Sequence, residues 1–419
     1  MPKSEPQFII PFAKPSGITS FTSLWQVKHA LGTKKVGHTG TLDSFADGLL
    51  VLLSGKLTKL VPYITDFDKT YRVLFYFGKE TDTLDPEGAV IAEKPLPVYA
   101  DFIAAIRQLT GTIEQVPPVY SAVKQAGERL SDKIRRGEAV TVPPRTVTIY
   151  SIDIEEIFYA PEADTAGPEN PWPDTGVESL EADTGAMYPG TDMSMAHPEA
   201  DAAALSTDQK VSGAEKSEEG ALQKVLGAVL CVRCSKGTYI RSLVRDIAHC
   251  CGSAAYAYAL RRTAVGPFTL EQAAGFSALS PFGSAAVNLA DADSIGTASK
   301  SVHDRRAGQD GACVPDSKPV SYSVTEEEIN RAALSLNEEI ARAMHFQIAA
   351  LQEKYYPAFM NGKPISGHWF TGTQPLSNSG TIAVFYGGCC AGLITKNGNR
   401  FHYQMVFNQG QGKRNRCVN

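Results

Sequence analysis

Between Val36 and Leu49 the chain reads Gly37-His-Thr-Gly-Thr-Leu-Asp-Ser-Phe-Ala-Asp-Gly48. Glycines at 37, 40 and 48 permit tight backbone geometry. Two carboxylates, Asp43 and Asp47, share the stretch with His38. The residue types admit three uses. Asp43 can cap a helix, as aspartate commonly does. Asp43, Asp47 and His38 can be tried as metal ligands, but their spacing matches no established ligand pattern. One carboxylate, held on a rigid loop beside an aromatic surface, can serve as nucleophile or base. The types and spacing alone leave these alternatives open. A second ligand-like spacing, Cys231 and Cys234, lies in a strand-like run where a three-residue offset sends the two thiols to opposite faces. No second ligand pair follows it, so no structural zinc is expected.

The elements that must position these residues can be read from periodicity and punctuation. Ser20 to Leu31 has helical spacing, with Thr19 or Ser20 as its cap and Phe21, Leu24, Val27 and Leu31 along one face. Residues 36–48 read as a loop, and Leu49 to Leu53 as a buried strand or the start of a helix. Thr70 to Phe77 alternates as a strand with Tyr71, Val73, Phe75 and Phe77 on one side. Asp85-Pro-Glu-Gly88 is a turn, followed by a return strand. Ala100 to Thr110 is helical, and Thr146 to Phe158 is a strand rich in β-branched residues. Residues 222–235 form a strand, Lys236-Gly-Thr238 a turn, and Tyr239 to Cys250 a helix. Glu326 to Lys354 reads as helix, and residues 356–410 as short strands with glycine turns.

Composition sets the broad class. The 419 residues are 43% hydrophobic and 20% charged, which suits a globular chain of more than one domain. Residues 161–220 hold fourteen Asp/Glu and two Lys. The rest of the chain holds 38 Lys/Arg against 31 Asp/Glu, a net of +7, which is compatible with binding a polyanion. The expected organisation is a first catalytic part over 1–158 and an acidic, low-complexity, disordered insertion over 159–221. A second catalytic part follows over 222–280, then a loop over 281–320, a helical connector over 321–355 and a β-rich terminal domain over 356–419. The eight cysteines do not form a disulfide framework in a chain of this kind. Met1 to Pro11 lacks a signal-peptide layout and no apolar run reaches the length of a membrane span, so a cytosolic protein is expected.

Several segments together resemble the bacterial-type tRNA pseudouridine synthase B family, which modifies the T-loop uridine of tRNA. Gly37-His-Thr-Gly-Thr-Leu-Asp43 resembles the family's catalytic G-H-x-G-x-L-D. Lys14-Pro-Ser-Gly-Ile-Thr-Ser20 precedes it as in the family. Asp68-Lys-Thr-Tyr-Arg72, Gly78-Lys-Glu-Thr-Asp-Thr-Leu-Asp85, Pro117-Pro-Val-Tyr-Ser-Ala-Val-Lys124, Cys234-Ser-Lys-Gly-Thr-Tyr-Ile-Arg241 and Leu260-Arg-Arg262 follow in family order. The resemblance implies an α+β fold: a mixed, mostly antiparallel central sheet with flanking helices, and a small C-terminal PUA-like RNA-binding domain. It implies Asp43 as the catalytic aspartate, Arg241 as its ion-pair partner, and Tyr71 as the aromatic against the target base. His38 is expected to fill the space of the flipped-out base, and Tyr239, two residues before Arg241, and the family-matched Leu260 to wall the site. Lys14, Lys34, Lys35, Lys236, Arg135, Arg136, Arg261 and Arg262 are expected phosphate contacts. No cofactor is implied, because the substrate supplies every atom. The expected partner is the T stem-loop of tRNA, bound by a monomer without a protein partner. A tRNA-folding chaperone and a guide-RNA-dependent synthase are the rival readings. Two positions depart from the family: Ser44 stands where it usually has Pro, and Asp47 where it usually has Thr. Asp47 is expected to point to solvent.

Overall fold

The computed structural model describes residues 5–118, 124–125, 128–129, 142–160, 222–282, 323–371 and 376–407. In chain order its first strands are β1 (Ile9–Lys14), β2 (Val36–Thr39), β3 (Asp47–Ser54), β4 (Lys69–Phe77) and the hairpin β5 (Lys79–Thr81) and β6 (Val90–Glu93). They continue with β7 (Gly111–Gln115), the two-residue β8 (Lys124–Gln125) and β9 (Glu128–Arg129), β10 (Arg145–Tyr159), β11 (Val225–Cys234), β12 (Ala255–Val265) and β13 (Phe268–Thr269). A nine-stranded sheet runs β1-β3-β12-β4-β11-β10-β7, with β2 on β3 and β13 on β12. Every pairing in it is antiparallel except β3 with β12. The expected mixed, mostly antiparallel sheet is therefore present.

The ambiguous apolar run at 49–53 is strand, and burial on both faces explains its unbroken hydrophobicity. Leu49, Val51 and Leu53 join Ile9 and Ala13 in one cluster, while Leu50 and Leu52 join Ile10 and Phe12 in another. That second cluster is closed by Leu24 and Val27 of α1 (Ser20–Ala30) and Ile329 of α5 (Glu326–Ala332). Thr19 caps α1 by accepting from the Thr22 amide. The expected apolar face of α1 needs one correction: Phe21 is 71% exposed rather than buried. Between the two helices come α2 (Val61–Thr65), α3 (Tyr99–Gln108) and α4 (Ile240–Cys250). Phe102 of α3 and Leu243, Val244 and Ile247 of α4 cover the sheet face made by Val73, Phe75, Phe77 and Val232.

Two element readings are overturned. Residues 36–48 are not all loop, since β2 pairs with β3 from Val36–Ser54 to Thr39–Val51. Glu326 to Lys354 is not one helix. It breaks into α5 and α6 (Glu338–Ala343), then β14 (Gln347–Leu351). His345 carries the break, with φ of +59° after the end of α6. β14 joins a second sheet with β15 (Phe370–Thr371), β16 (Thr381–Tyr386), β17 (Cys389–Asn397) and β18 (Arg400–Val406), in the order β15-β14-β16-β17-β18. The short α7 (Tyr356–Met360) packs Phe359 into the core of this C-terminal sheet. The two sheets share a core, because Met344, Phe346, Phe385, Leu393 and Met405 pack in one cluster with Leu49, Val51 and Leu57. The acidic insertion, Arg135, Arg136 and most of the 281–320 loop lie outside the described residues.

Candidate active site

Asp43 sits between β2 and β3 in a loop held at nearly every residue. Ser20 Oγ donates to the Leu42 carbonyl at 3.0 Å and accepts from the Leu42 amide at 2.9 Å. The Ser44 carbonyl accepts from the Gly17 amide at 2.8 Å, and the Phe45 carbonyl from Ser16 Oγ at 2.7 Å. Ser44 Oγ donates to the Glu87 carboxylate at 3.0 Å. The segment Lys14–Ser20 thus acts as a clamp on the loop. Lys14 itself is fully buried, its Nζ donating to the carbonyls of Pro15 and Ile18 at 2.8 Å and of Ser44 at 3.4 Å. Burial lowers its pKa to about 8, against the opposing pull of Asp47 and Asp43. The loop closes at Gly48, where φ is +106° and an added Cβ would stand 2.4 Å from the Arg262 carbonyl.

Over this loop stands Arg241, in the first turn of α4 and 5% exposed. Its Nε meets Asp43 Oδ2 at 3.0 Å. Its Nη1 donates to Asp85 Oδ2 at 2.7 Å and to the Thr83 carbonyl at 2.7 Å. Asp85 is in turn fixed by Thr83 Oγ1 at 2.6 Å and the Glu87 amide at 3.1 Å. The loop that delivers it contains Leu84, a non-glycine residue at φ +60°, and that conformation costs energy. The exposures separate the two carboxylates: Asp85 keeps 6% of its side-chain surface and Asp43 keeps 43%. Asp43 is the one a substrate can reach. Desolvation raises the Asp43 pKa from its ordinary value, Arg241 opposes that rise, and Asp85 adds to it.

Tyr71 lies on the same sheet face, packed against the cluster that contains Leu42 and Leu260. It stands opposite Val232 on β11 and Arg262 on β12. Burial pushes its phenol up, opposed by the charge and hydrogen bond of Arg262, so the phenol is protonated at neutral pH. His38 is half-buried on β2, and its buried Nδ1 has no hydrogen-bond partner. Burial and then Arg262 lower its pKa, which keeps the imidazole neutral. Tyr239 is the N-cap of α4, with its amide donating to Gln115 Oε1 at 2.8 Å and its carbonyl accepting from Gln115 Nε2 at 3.1 Å. Leu260 is buried in the core beneath the site.

Asp43, Arg241, Tyr71 and Leu260 therefore come together, and Tyr239 borders them. Several expectations need correction. Lys14 cannot contact a phosphate, because its ammonium is enclosed by carbonyls. Asp47 does not point to solvent: Arg261 grips it bidentately at 2.7 and 2.6 Å. Arg261 is thereby taken from phosphate binding. So is Arg262, which is 1% exposed and donates to the carbonyls of Leu49 at 2.8 Å and Gly40 at 3.2 Å. Lys34, Lys35 and Lys236 are exposed, the last paired with Asp66 at 2.8 Å. Asp85 stands within its sequence motif with no role assigned by residue type or spacing. Its signal was a carboxylate ending a Thr/Asp-rich turn, with no indication that Arg241 was its partner.

The comparisons converge on one class. Residues 28–165 match the family model described as TruB family pseudouridylate synthase, N-terminal domain. The fold is similar to that in a solved H/ACA RNP bound to a substrate RNA containing 2'-deoxyuridine. There the TM-score is 0.50 and the identity 16%, over 96% of this chain and 85% of that one. Sheet and family model both point to the pseudouridine synthases. Among curated relatives, the tRNA pseudouridine synthase B of Treponema pallidum (strain Nichols) is 39% identical over 407 residues, covering 96% of this chain and 98% of that protein. The protein of the same name from Treponema denticola is 38% identical, covering 95% and 98%. The one from Pseudomonas fluorescens is 36% identical over 265 residues. The chain belongs to the TruB family of pseudouridine synthases.

Proposed function

We propose that this protein isomerises the uridine at position 55 in the tRNA T loop to pseudouridine, with Asp43 as the catalytic residue. The observation that carries the assignment is the ion pair of Asp43 with the buried Arg241, beside a loop clamped on both sides. In the reaction the N1–C1′ bond breaks, the base turns, and a C5–C1′ bond forms. The C5 proton then leaves and N1 ends protonated, so the product is an isomer and nothing is consumed. A carboxylate can attack C1′ or remove a sugar proton, and Arg241 favours the ionised form of Asp43 against the desolvation that raises its pKa, and aims it for either route. Tyr71 stacks on the flipped base, and its protonated phenol takes up the C5 proton as it passes its own to solvent. His38, neutral and unpartnered at Nδ1, takes the place that base leaves in the loop.

The substrate is the T stem-loop, read by a monomer in the cytoplasm without a protein partner. Residues 222–280 complete the catalytic domain begun by 1–158. The C-terminal sheet serves as a PUA-like RNA-binding domain, with its boundary set before β14 rather than at 356. Among the described residues no helix is long and apolar enough to cross a membrane. The test is pseudouridine formation in an unmodified tRNA transcript, mapped by adduct-dependent reverse-transcription stops. The wild type should give a stop at the T-loop uridine and Asp43→Asn none. A stop elsewhere, or an active Asp43→Asn protein, rejects the assignment.

A further inference from the structure

Helix α1 carries two aromatic side chains that the core does not use. Phe21 is 71% exposed and Trp25 68% exposed, one helical turn apart on the same outer face. Each is matched with a base. His29 stacks on Trp25 with ring centroids 5.6 Å apart and 24° between planes. Lys28 Nζ lies 5.6 Å from the Phe21 centroid. Single exposed apolar residues are ordinary, but an aromatic ridge beside a lysine has the composition of a surface that stacks bases and holds phosphates. The charge pattern agrees. From Pro6 to Leu42 the sequence contains no Asp or Glu, while Lys28, Lys34 and Lys35 fall within it besides the buried Lys14. In a chain of net charge −5 this is a local cationic zone.

The ridge also starts at the active site. Ser20, the first residue of α1, is bonded in both directions to Leu42, the neighbour of Asp43. At about 1.5 Å per residue, Trp25 stands about 7.5 Å further along the helix, the rise of about two stacked nucleotides. An RNA that delivers a base to Asp43 therefore has its adjoining nucleotides within reach.

We propose that Phe21 and Trp25, with Lys28 and His29, form a second RNA contact that stacks unpaired bases of the same tRNA next to the flipped uridine. This rests on the tRNA reading above. It predicts that the ridge contributes to affinity and not to the chemical step.

The test is equilibrium binding of an unmodified tRNA transcript, together with iodide quenching of tryptophan fluorescence. The chain has three tryptophans, of which Trp369 is buried. A Trp172→Phe protein therefore reports Trp25. Saturating tRNA should shield Trp25 from iodide. Trp25→Ala and Phe21→Ala should each raise Kd by about 5- to 150-fold, the range for losing one aromatic–base stack. The turnover rate at saturating tRNA should stay at the wild-type value, because neither residue touches Asp43. Unchanged Kd and unchanged quenching would overturn the proposal. So would a Trp25 already shielded in the free protein, which would mean that another part of the chain or a second copy covers α1. Failure of the functional reading looks different: no T-loop pseudouridine is formed, whatever Kd shows.

Discussion

Arg241 divides one guanidinium between two carboxylates, and their unequal exposure gives them different roles. Asp43 remains open to substrate, while Asp85, fixed from Thr83 and Glu87, holds Arg241 from behind. Removing Asp85 takes away the buried carboxylate behind Arg241 and loosens the hold that keeps its Nε on Asp43. Breaking one partner of a buried pair costs about 3–5 kcal/mol. We expect Asp85→Ala to lower turnover at least about tenfold with little change in tRNA Kd, read by single-turnover kinetics at saturating enzyme. A Kd effect without a rate effect would reject this positioning role. The acid limb of the wild-type rate carries the sign of the Asp43 shift. On the proposed role of Asp43 as the active carboxylate, desolvation raises its pKa from the ordinary aspartate value of 3.8, so activity is lost as pH falls through a point above that of an unperturbed aspartate. An inflection at or below 3.8 in the pH dependence of kcat/KM would contradict that environment. At this scale the sequence revealed Asp43 and Arg241, because both lie in contiguous motifs. It hid Asp85–Arg241 and Asp47–Arg261, whose partners are 156 and 214 residues apart. A contact of that separation leaves no mark on local residue choice, so Asp47 looked like a solvent-facing departure.

Gly48 shows how the strands transmit precision to the loop. It pairs with Lys14 on β1 and with Arg262 on β12, so one residue joins three strands directly after the catalytic loop. Its φ of +106° disfavours any side chain, and the Arg262 backbone leaves no volume for one. Gly48→Ala should therefore part β3 from β12 and destabilise the protein by about 2 kcal/mol or more, as strain of about 1–3 kcal/mol is joined by a backbone clash. Urea unfolding would show this as a lower midpoint, and a midpoint within error of wild type would disprove it. Element identity was legible where the pattern had one interpretation, as in the alternation of Tyr71, Val73, Phe75 and Phe77. It failed at 344–351, where Met-His-Phe-Gln-Ile-Ala-Ala-Leu has good helix formers. Parallel pairing of Gln347–Ala350 with Ile382–Phe385 makes that segment strand. Tertiary pairing outweighed intrinsic propensity there.

At the scale of the molecule, the shared core explains why the C-terminal sheet cannot be treated as an independent appendage. Lys56 Nζ donates to the Val406 carbonyl at 2.8 Å, and Tyr63 meets Phe346 edge-on at 4.7 Å. The acidic segment is connected quite differently. β10 and β11 stay paired as far as Tyr159 and Val225, and the Ala160 amide still donates to the Lys224 carbonyl at 3.0 Å. The ladder therefore closes before the segment begins, and a short turn can replace residues 161–220 without breaking a pair. Val225 lies seven residues before Val232, the strand neighbour of Tyr71, about 23 Å at 3.3 Å per residue. The attachment point is thus more than two Debye lengths from the site at physiological salt, where that length is about 8 Å. Deleting 161–220 should leave turnover and thermal stability at wild-type values at 0.15 M salt. At about 0.01 M salt the Debye length grows to about 30 Å, and the change of net charge from −5 to +7 should then speed association with tRNA. Stopped-flow binding at the two salt concentrations separates these effects. A large loss of turnover at physiological salt would mean that the segment takes part in the reaction and is more than a tolerated extension of a hairpin.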